Sequence, residues 1–389
     1  MRLRLAALLG LGLVASGCAM FGGGDDDEDP VEPPAELVDF ETSLAIDRLW
    51  SEKVGGGTEL LRLGLRPASD GTQIFAGAHD GQVAAFDAET GRRVWATRTE
   101  LPLAAGPGYG GGVLAFGTND GDLITLEAET GAERWRLQVG GEVLAPPAIG
   151  GGAVVLKTVD GRLRAYALLD GRLLWTVENA VPSLTLRGNT APVVAGNAVV
   201  AGFDSGRLGV YELATGEARW EAPLATPSGR TELERIVDIS AGLAVVGNDV
   251  YAVGYHGRAV AVALETGLLI WQQELSSYAG LGASFNAVYV AGDVSQVVAL
   301  DRDTGAPLWT QPALRLRDIT APTFYRNTVV VGDLDGYLHW LDADDGQFVA
   351  RERVASRQIS TAPLVVGNNV YAQADDGTVA AFTIVAGDD

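Results

Sequence analysis

Cysteine is almost missing from this sequence: Cys18 is the single thiol in 389 residues. No disulfide can form within the chain, and thiolate metal centres are excluded with it. Histidine is scarce as well. His79 and His256 fall in turns and His339 within a strand beside Trp340. None stands at metal-ligand spacing from another, so all three read as surface residues outside any metal site. Positive charge is in deficit, with 28 Lys and Arg against 50 Asp and Glu and a formal net charge of −22. That balance argues against nucleic acid as a partner and against tight contact with an anionic bilayer. The apolar stretch from Leu5 to Val14 is too short to span a membrane as a mature helix. Gly55-Gly56-Gly57 and Gly110-Gly111-Gly112 lack the Lys-Ser/Thr pair and the helix of a phosphate cradle. No nucleophile elbow is present. Asp342-Ala343-Asp344-Asp345-Gly346 begins like a calcium loop, but Arg353 stands where the loop's closing Glu belongs. Neither catalytic residues nor a metal site can be nominated, and no cofactor is expected.

Glycine and tryptophan, by contrast, are plentiful and periodic, at 51 and 8 residues. Six turns place Gly four residues before Trp: Gly91 and Trp95, Gly131 and Trp135, Gly171 and Trp175, Gly216 and Trp220, Gly267 and Trp271, Gly305 and Trp309. A seventh copy, ending at Gly346, puts Ala350 in the Trp position. Between these turns run short segments rich in Val, Leu and aromatics, bounded by Asp-Gly and Gly clusters that suit tight hairpins. A period of 38 to 51 residues with four short strands per unit predicts a β-propeller. Eight second-to-third-strand turns can be read, from Asp80-Gly81 to Asp376-Gly377, and the chain ends after a third strand at Val379 to Phe382. The missing fourth strand is available at the other end, at Ala45 to Trp50. The fold class is therefore all-β: an eight-bladed propeller of four-stranded antiparallel blades, spanning 44–389, closed by an N-terminal strand that completes the last blade.

The N-terminus has a different character. Arg2 and Arg4, the apolar run and the small residues Ala15-Ser16-Gly17 form the layout of a secretory signal over residues 1–17. Cys18 directly after it resembles the bacterial lipobox, which implies lipidation of that thiol. Ala19 carries no Asp of the kind that retains such lipoproteins in the inner membrane, so the outer membrane is favoured. Residues 18–43, rich in Gly, acid and Pro, cannot build a core and read as a flexible acidic tether.

Two repeats are long. The steps from Trp175 to Trp220 and from Trp220 to Trp271 are 45 and 51 residues against a norm near 40. The extra residues belong to connections between an outer strand and the next inner strand, on the face that also carries the second-to-third-strand turns. Consecutive blades are neighbours, so both insertions form one patch. The first holds Pro182-Ser183-Leu184-Thr185-Leu186-Arg187-Gly188, two apolar anchors beside an Arg. The second holds Gly229-Arg230-Thr231-Glu232-Leu233-Glu234-Arg235-Ile236-Val237-Asp238, in which Thr231 and Glu234 have the spacing of a capping box for a short helix.

The form Ala85-Phe86-Asp87-Ala88-Glu89-Thr90-Gly91-Arg92-Arg93-Val94-Trp95 resembles the docking motif of pyrroloquinoline-quinone dehydrogenases. Those enzymes also need an adjacent-cysteine ring, a calcium site and a catalytic Asp on a longer chain, so a periplasmic quinoprotein-type enzyme is the alternative rather than the main reading. Lipobox, acidic tether, Trp repeat and the two inserted segments together resemble the BamB family of lipoproteins, which serve the outer-membrane β-barrel assembly machine. The resemblance implies a non-enzymatic scaffold on the periplasmic face of the outer membrane. It also implies docking of Leu184, Leu186, Arg187 and Asp238 onto the POTRA domains of the barrel subunit BamA. A second family acid is replaced here by Ser240. Nascent outer-membrane proteins are a further class of partner to which the blade edges stand open.

Overall fold

The computed structural model describes residues 32–56, 63–182, 184, 190–223 and 238–385. It contains eight sheets, and each is the four-stranded antiparallel meander that the turn chemistry requires, one of them extended by a fifth strand. Blade 1 spans 68–98, blade 2 103–138, blade 3 148–178, blade 4 193–223, blade 5 238–274, blade 6 280–311 and blade 7 323–353. Blade 8 takes Leu364–Val366, Asn369–Gln373 and Thr378–Ile384 from the C-terminal end and Ile46–Lys53 from the N-terminal end, paired from Ile46 against Ile384 to Lys53 against Thr378 with a bulge between Arg48 and Trp50. The ring is closed as the repeat arithmetic predicts. First strands of successive blades meet one another around the axis, and the fourth strands form the rim. Second strands are almost wholly buried, as in Ala153–Lys157 and Thr328–Gly332, because blades cover both of their faces.

The Gly-Trp spacing has a packing cause. Each rim-strand Trp leans over the third-to-fourth-strand turn of the next blade and donates its indole N–H to a carbonyl there: Trp95 to Ala128, Trp135 to Leu168, Trp175 to Leu213, Trp220 to Leu264, Trp271 to Arg302 and Trp309 to Ala343, at 2.7–3.0 Å. The turn Gly beneath takes a positive φ, and a Cβ on it would lie 2.5–2.9 Å from the indole at Gly131, Gly171, Gly216, Gly267, Gly305 and Gly346. Trp50, on the closing strand of blade 8, does the same to blade 1: it donates to Ala88 at 2.9 Å and covers Gly91. The closing strand therefore engages the next blade through the same contact as the other rim strands.

Ala350 breaks the pattern where the pattern cannot be satisfied. The next blade is the composite one, whose third and fourth strands come from opposite ends of the chain, so no covalent Gly turn lies there to receive an indole. The large side chain moves one strand inward instead: Trp340 sits opposite Ala350 in the ladder, fully buried, with its ring edge-on to Phe382 of blade 8 at 5.9 Å. Elsewhere the residue opposite the rim Trp is small or medium, as at Ala85, Ala165, Ala261 and Ala299.

Two further features are not repetitive. Gly64–Leu65 pairs in parallel with the inner strand of blade 2, and the Leu65 carbonyl accepts from Thr361 ahead of the first strand of blade 8. Gly64 is required because a Cβ would lie 2.5 Å from the Leu144 carbonyl. This segment crosses the channel mouth and ties blades 2, 3 and 8 together. The second feature corrects the reading of His339 as a surface residue. It is fully buried in blade 7, where Nε2 lies 2.9 Å from Asp333 and Nδ1 accepts from Arg351 Nε at 3.2 Å. Arg317 donates to the same Asp333 oxygen from Nε and Nη2 at 2.9 and 2.8 Å. Sequence distance hid this: the partners come from three different segments.

Candidate functional site

The loop face carries the second-to-third-strand turns and the connections from each rim strand to the next inner strand. The two long connections leave blade 3 at Glu178 and blade 4 at Pro223, and enter blade 4 at Val193 and blade 5 at Asp238. Both therefore begin and end on this face, between neighbouring blades, as the repeat lengths indicate. Leu184 is 41% exposed and Val181 39%. Leu186 and Arg187 lie outside the described residues, as does the capping-box segment 226–235. Asp238 opens the inner strand of blade 5, opposite Tyr255 in the ladder. The topology thus brings Leu184 and Asp238 to one face without fixing a contact between them.

The root of the first connection is fastened down. The Asn179 amide donates to Gly161 at 3.0 Å, and its side chain donates to the Tyr211 hydroxyl at 3.4 Å. Val181 covers Gly161, whose Cβ would meet the Val181 methyl at 2.6 Å. Tyr211 in turn donates to Glu221 at 2.8 Å; burial first, and the Glu221 carboxylate second, push its hydroxyl well above the ordinary range, so it remains a donor. Lys157 of blade 3 reaches across to blade 4, donating to the Gly202 carbonyl at 3.1 Å with Asp204 at 3.6 Å. Both side chains of that ion pair are largely buried, and it joins blades 3 and 4.

Next to Asp238 the face is aromatic. Tyr255 stacks on His256 at 3.9 Å and lies 6.5 Å from Tyr278, and His256 holds a φ of 48° while its amide donates to Ser276. Sequence reasoning passed over this cluster because His256-Gly257 reads as an ordinary repeat turn. The signal available was the departure from Asp-Gly at that turn, with Tyr on its inner side. Around the rest of the face the turns contribute Asp80, Asp120, Asp160, Asp335 and Asp376. Asp80 is held ionised: burial raises it, and the Gly56 amide, Gln82 and Arg98 more than offset that. Among the described residues no group of three or more His, Cys, Asp and Glu is arranged to hold a metal. No described helix is long and apolar enough to cross a membrane. The arrangement presents exposed Val181 and Leu184 and a half-buried aromatic cluster on an acidic face, which is the equipment of a binding platform.

Comparison with known proteins agrees. The family model described as outer membrane protein assembly factor BamB matches residues 79–311 and 293–389. The protein of that name from Pseudomonas aeruginosa is 41% identical over 379 residues, covering 97% of this chain and 98% of its own. The one from Escherichia coli is 33% identical over 392 residues, covering 98% and 99%. Among solved structures, BamB from Moraxella catarrhalis superposes with a TM-score of 0.79 at 28% identity, covering 87% of this chain and 100% of that one. Quinohemoprotein alcohol dehydrogenase from Pseudomonas putida superposes with a TM-score of 0.66 at 13% identity, a likeness of fold alone. With relatives above 30% identity from end to end, and with the family model covering most of the propeller, this chain belongs to the BamB family of outer-membrane protein assembly factors, which are not enzymes.

Proposed function

We propose that this chain is a lipid-anchored scaffold of the outer-membrane β-barrel assembly machine, held on the periplasmic face through Cys18 and docking through its loop face onto the POTRA region of BamA. The observation that carries this reading is the pair of extended connections on adjacent blades, in a chain otherwise uniform in repeat length, in a family whose members are named for outer-membrane protein assembly. Leu184 and Leu186 act as apolar anchors, Arg187 as a charge-assisted hydrogen-bond donor and Asp238 as an acceptor for a basic group of the partner. The acidic turns around them favour a partner surface of positive charge and speed encounter at low salt. Such a scaffold supplies position rather than chemistry: it holds a partner domain at a defined angle while nascent barrel proteins are handed on. Pull-down from detergent-solubilised envelopes tests the partner: BamA should co-purify with the parent and not with a Leu184→Asp, Leu186→Asp double variant. Radiolabelled palmitate tests the anchor. The parent should incorporate the label and Cys18→Ser should not; labelling of Cys18→Ser equal to the parent excludes that thiol as the lipid site.

A further inference from the structure

The chain does not leave the propeller where its closing strand begins. Ile46 starts that strand at the face opposite the loop face, opposite Ile384. From there, read backwards, residues 44 to 35 run along the rim strand of blade 7 towards the loop face. Ser43 and Leu44 both donate their amides to the Val349 carbonyl at 3.1 Å, at the start of that strand. Phe40 stacks on Phe348 at 5.4 Å, and the Arg351 guanidinium lies 5.0 Å over its ring. Arg351 Nη2 donates to the Val38 carbonyl at 3.0 Å. Ala35 is held from both sides on the loop face: its amide donates to Arg315 and its carbonyl accepts from Arg317, each at 2.9 Å. The two arginines are not free to swing. Arg317 is 4% exposed and clamped on Asp333, and Arg351 is fixed by its bond to His339. The buried network inside blade 7 therefore aims two guanidinium groups outward at main-chain carbonyls of a ten-residue strap.

We infer that this strap is an exit guide: the groove on blade 7 formed by Arg317, Phe348 and Arg351 captures residues 35–44 and sends the upstream chain out from the loop face, near the junction of blades 6 and 7. The strap therefore releases the upstream chain from the same face as the binding patch. Without the strap the tether would leave from the opposite face at Ile46 and be about ten residues longer, a difference comparable to the height of a blade for an extended segment. A cation over an aromatic ring and charge-assisted bonds to carbonyls suit such a role, because they grip main chain and one Phe without demanding burial of the whole segment. The inference rests on attachment of the tether at Cys18, which the following experiment supplies chemically.

The signal-less full chain is coupled at Cys18 to a maleimide-bearing lipid and bound to phosphatidylcholine vesicles containing an acceptor-labelled lipid. A donor dye is placed on a bio-orthogonal residue at position 119, in a loop-face turn of blade 2, or at position 129, in the opposite-face turn of the same blade. Energy transfer from position 119 should exceed that from position 129 by at least about twofold. In a strap variant carrying Leu37→Ser, Val38→Gly and Phe40→Ser, which leaves the blades untouched, the ratio should fall to one or invert. Arg351→Ala, a blade-side variant, should move it the same way. Equal transfer from the two positions in the parent, or a ratio unmoved by the strap variant, overturns the inference. Neither result bears on natural acylation or on partner binding, which have their own assays.

Discussion

At the scale of single residues, the repeat is a packing code in which Gly and Trp belong to different blades. Gly216 has a φ of +74° and would carry a Cβ 2.7 Å from the Trp175 ring, whereas Gly112, at a φ of +76°, has nothing within 4 Å of that position. Gly112→Ala should cost about 1–2 kcal/mol from backbone strain alone. Gly216→Ala should cost at least about 3 kcal/mol, since overpacking adds to the same strain. Urea denaturation of the two variants measures the difference, and equal losses would deny the indole its role. His339 offers a second test. Burial lowers its proton affinity below the usual histidine range, more than the Asp333 carboxylate restores, and Arg351 Nε–H occupies its Nδ1 lone pair. The ring is therefore neutral, with Nε2–H directed to Asp333. A depressed value in the folded state means that the unfolded chain binds the proton first as pH falls. The contribution is full above about pH 6.5, the ordinary histidine value, and is lost as pH falls towards the folded value. Acid titration of stability should thus be shallower in His339→Gln than in the parent between pH 7 and 5, with Asp333, Arg317 and Arg351 unchanged around it.

At the scale of elements, the closing strand Ile46–Lys53 should matter far beyond its eight residues. Trp50 is 7% exposed and bridges blade 8 to blade 1, so Trp50→Ala should cost about 3–5 kcal/mol. Deleting residues 44–54 leaves blade 8 with three strands and an open rim, and should lower the melting temperature markedly by calorimetry; melting like the parent would refute the closure. Most of this architecture was legible in the sequence because it repeats: turn glycines and rim tryptophans recur at fixed spacing, and the count of third-strand turns exposes the missing strand. What was not legible is what occurs once. Trp340 and Ala350 trade places because the composite blade lacks a covalent turn, a fact of closure rather than of local sequence. The strap at 35–44 looks like tether by composition, yet Phe40 and two carbonyls find partners 282 to 313 residues away. Gly64–Leu65 pairs across the channel mouth with no periodic signal at all. Of the candidate site, the extended connections and exposed Leu184 followed from repeat length. The Tyr255, His256 and Tyr278 cluster did not, since it is assembled from a turn of blade 5 and the connection that follows that blade.

At the scale of the molecule, a closed ring in a chain of net charge −22 has two long connections between adjacent blades and few other departures from uniformity. Rigidity is what a positioning scaffold needs, because a partner held on a flexible support gains no fixed angle from being bound. The account stands on the claim that the loop face over blades 3 to 5 binds a partner while the rest of the ring only supports it. The most direct measurement is the affinity of the purified chain for the BamA POTRA fragment by calorimetry, with circular dichroism and melting recorded on the same samples. Leu184→Ala and Arg187→Ala should each weaken binding by about 2 kcal/mol, roughly thirtyfold, with spectra and melting like the parent. Unchanged affinity in these well-folded variants would contradict the account.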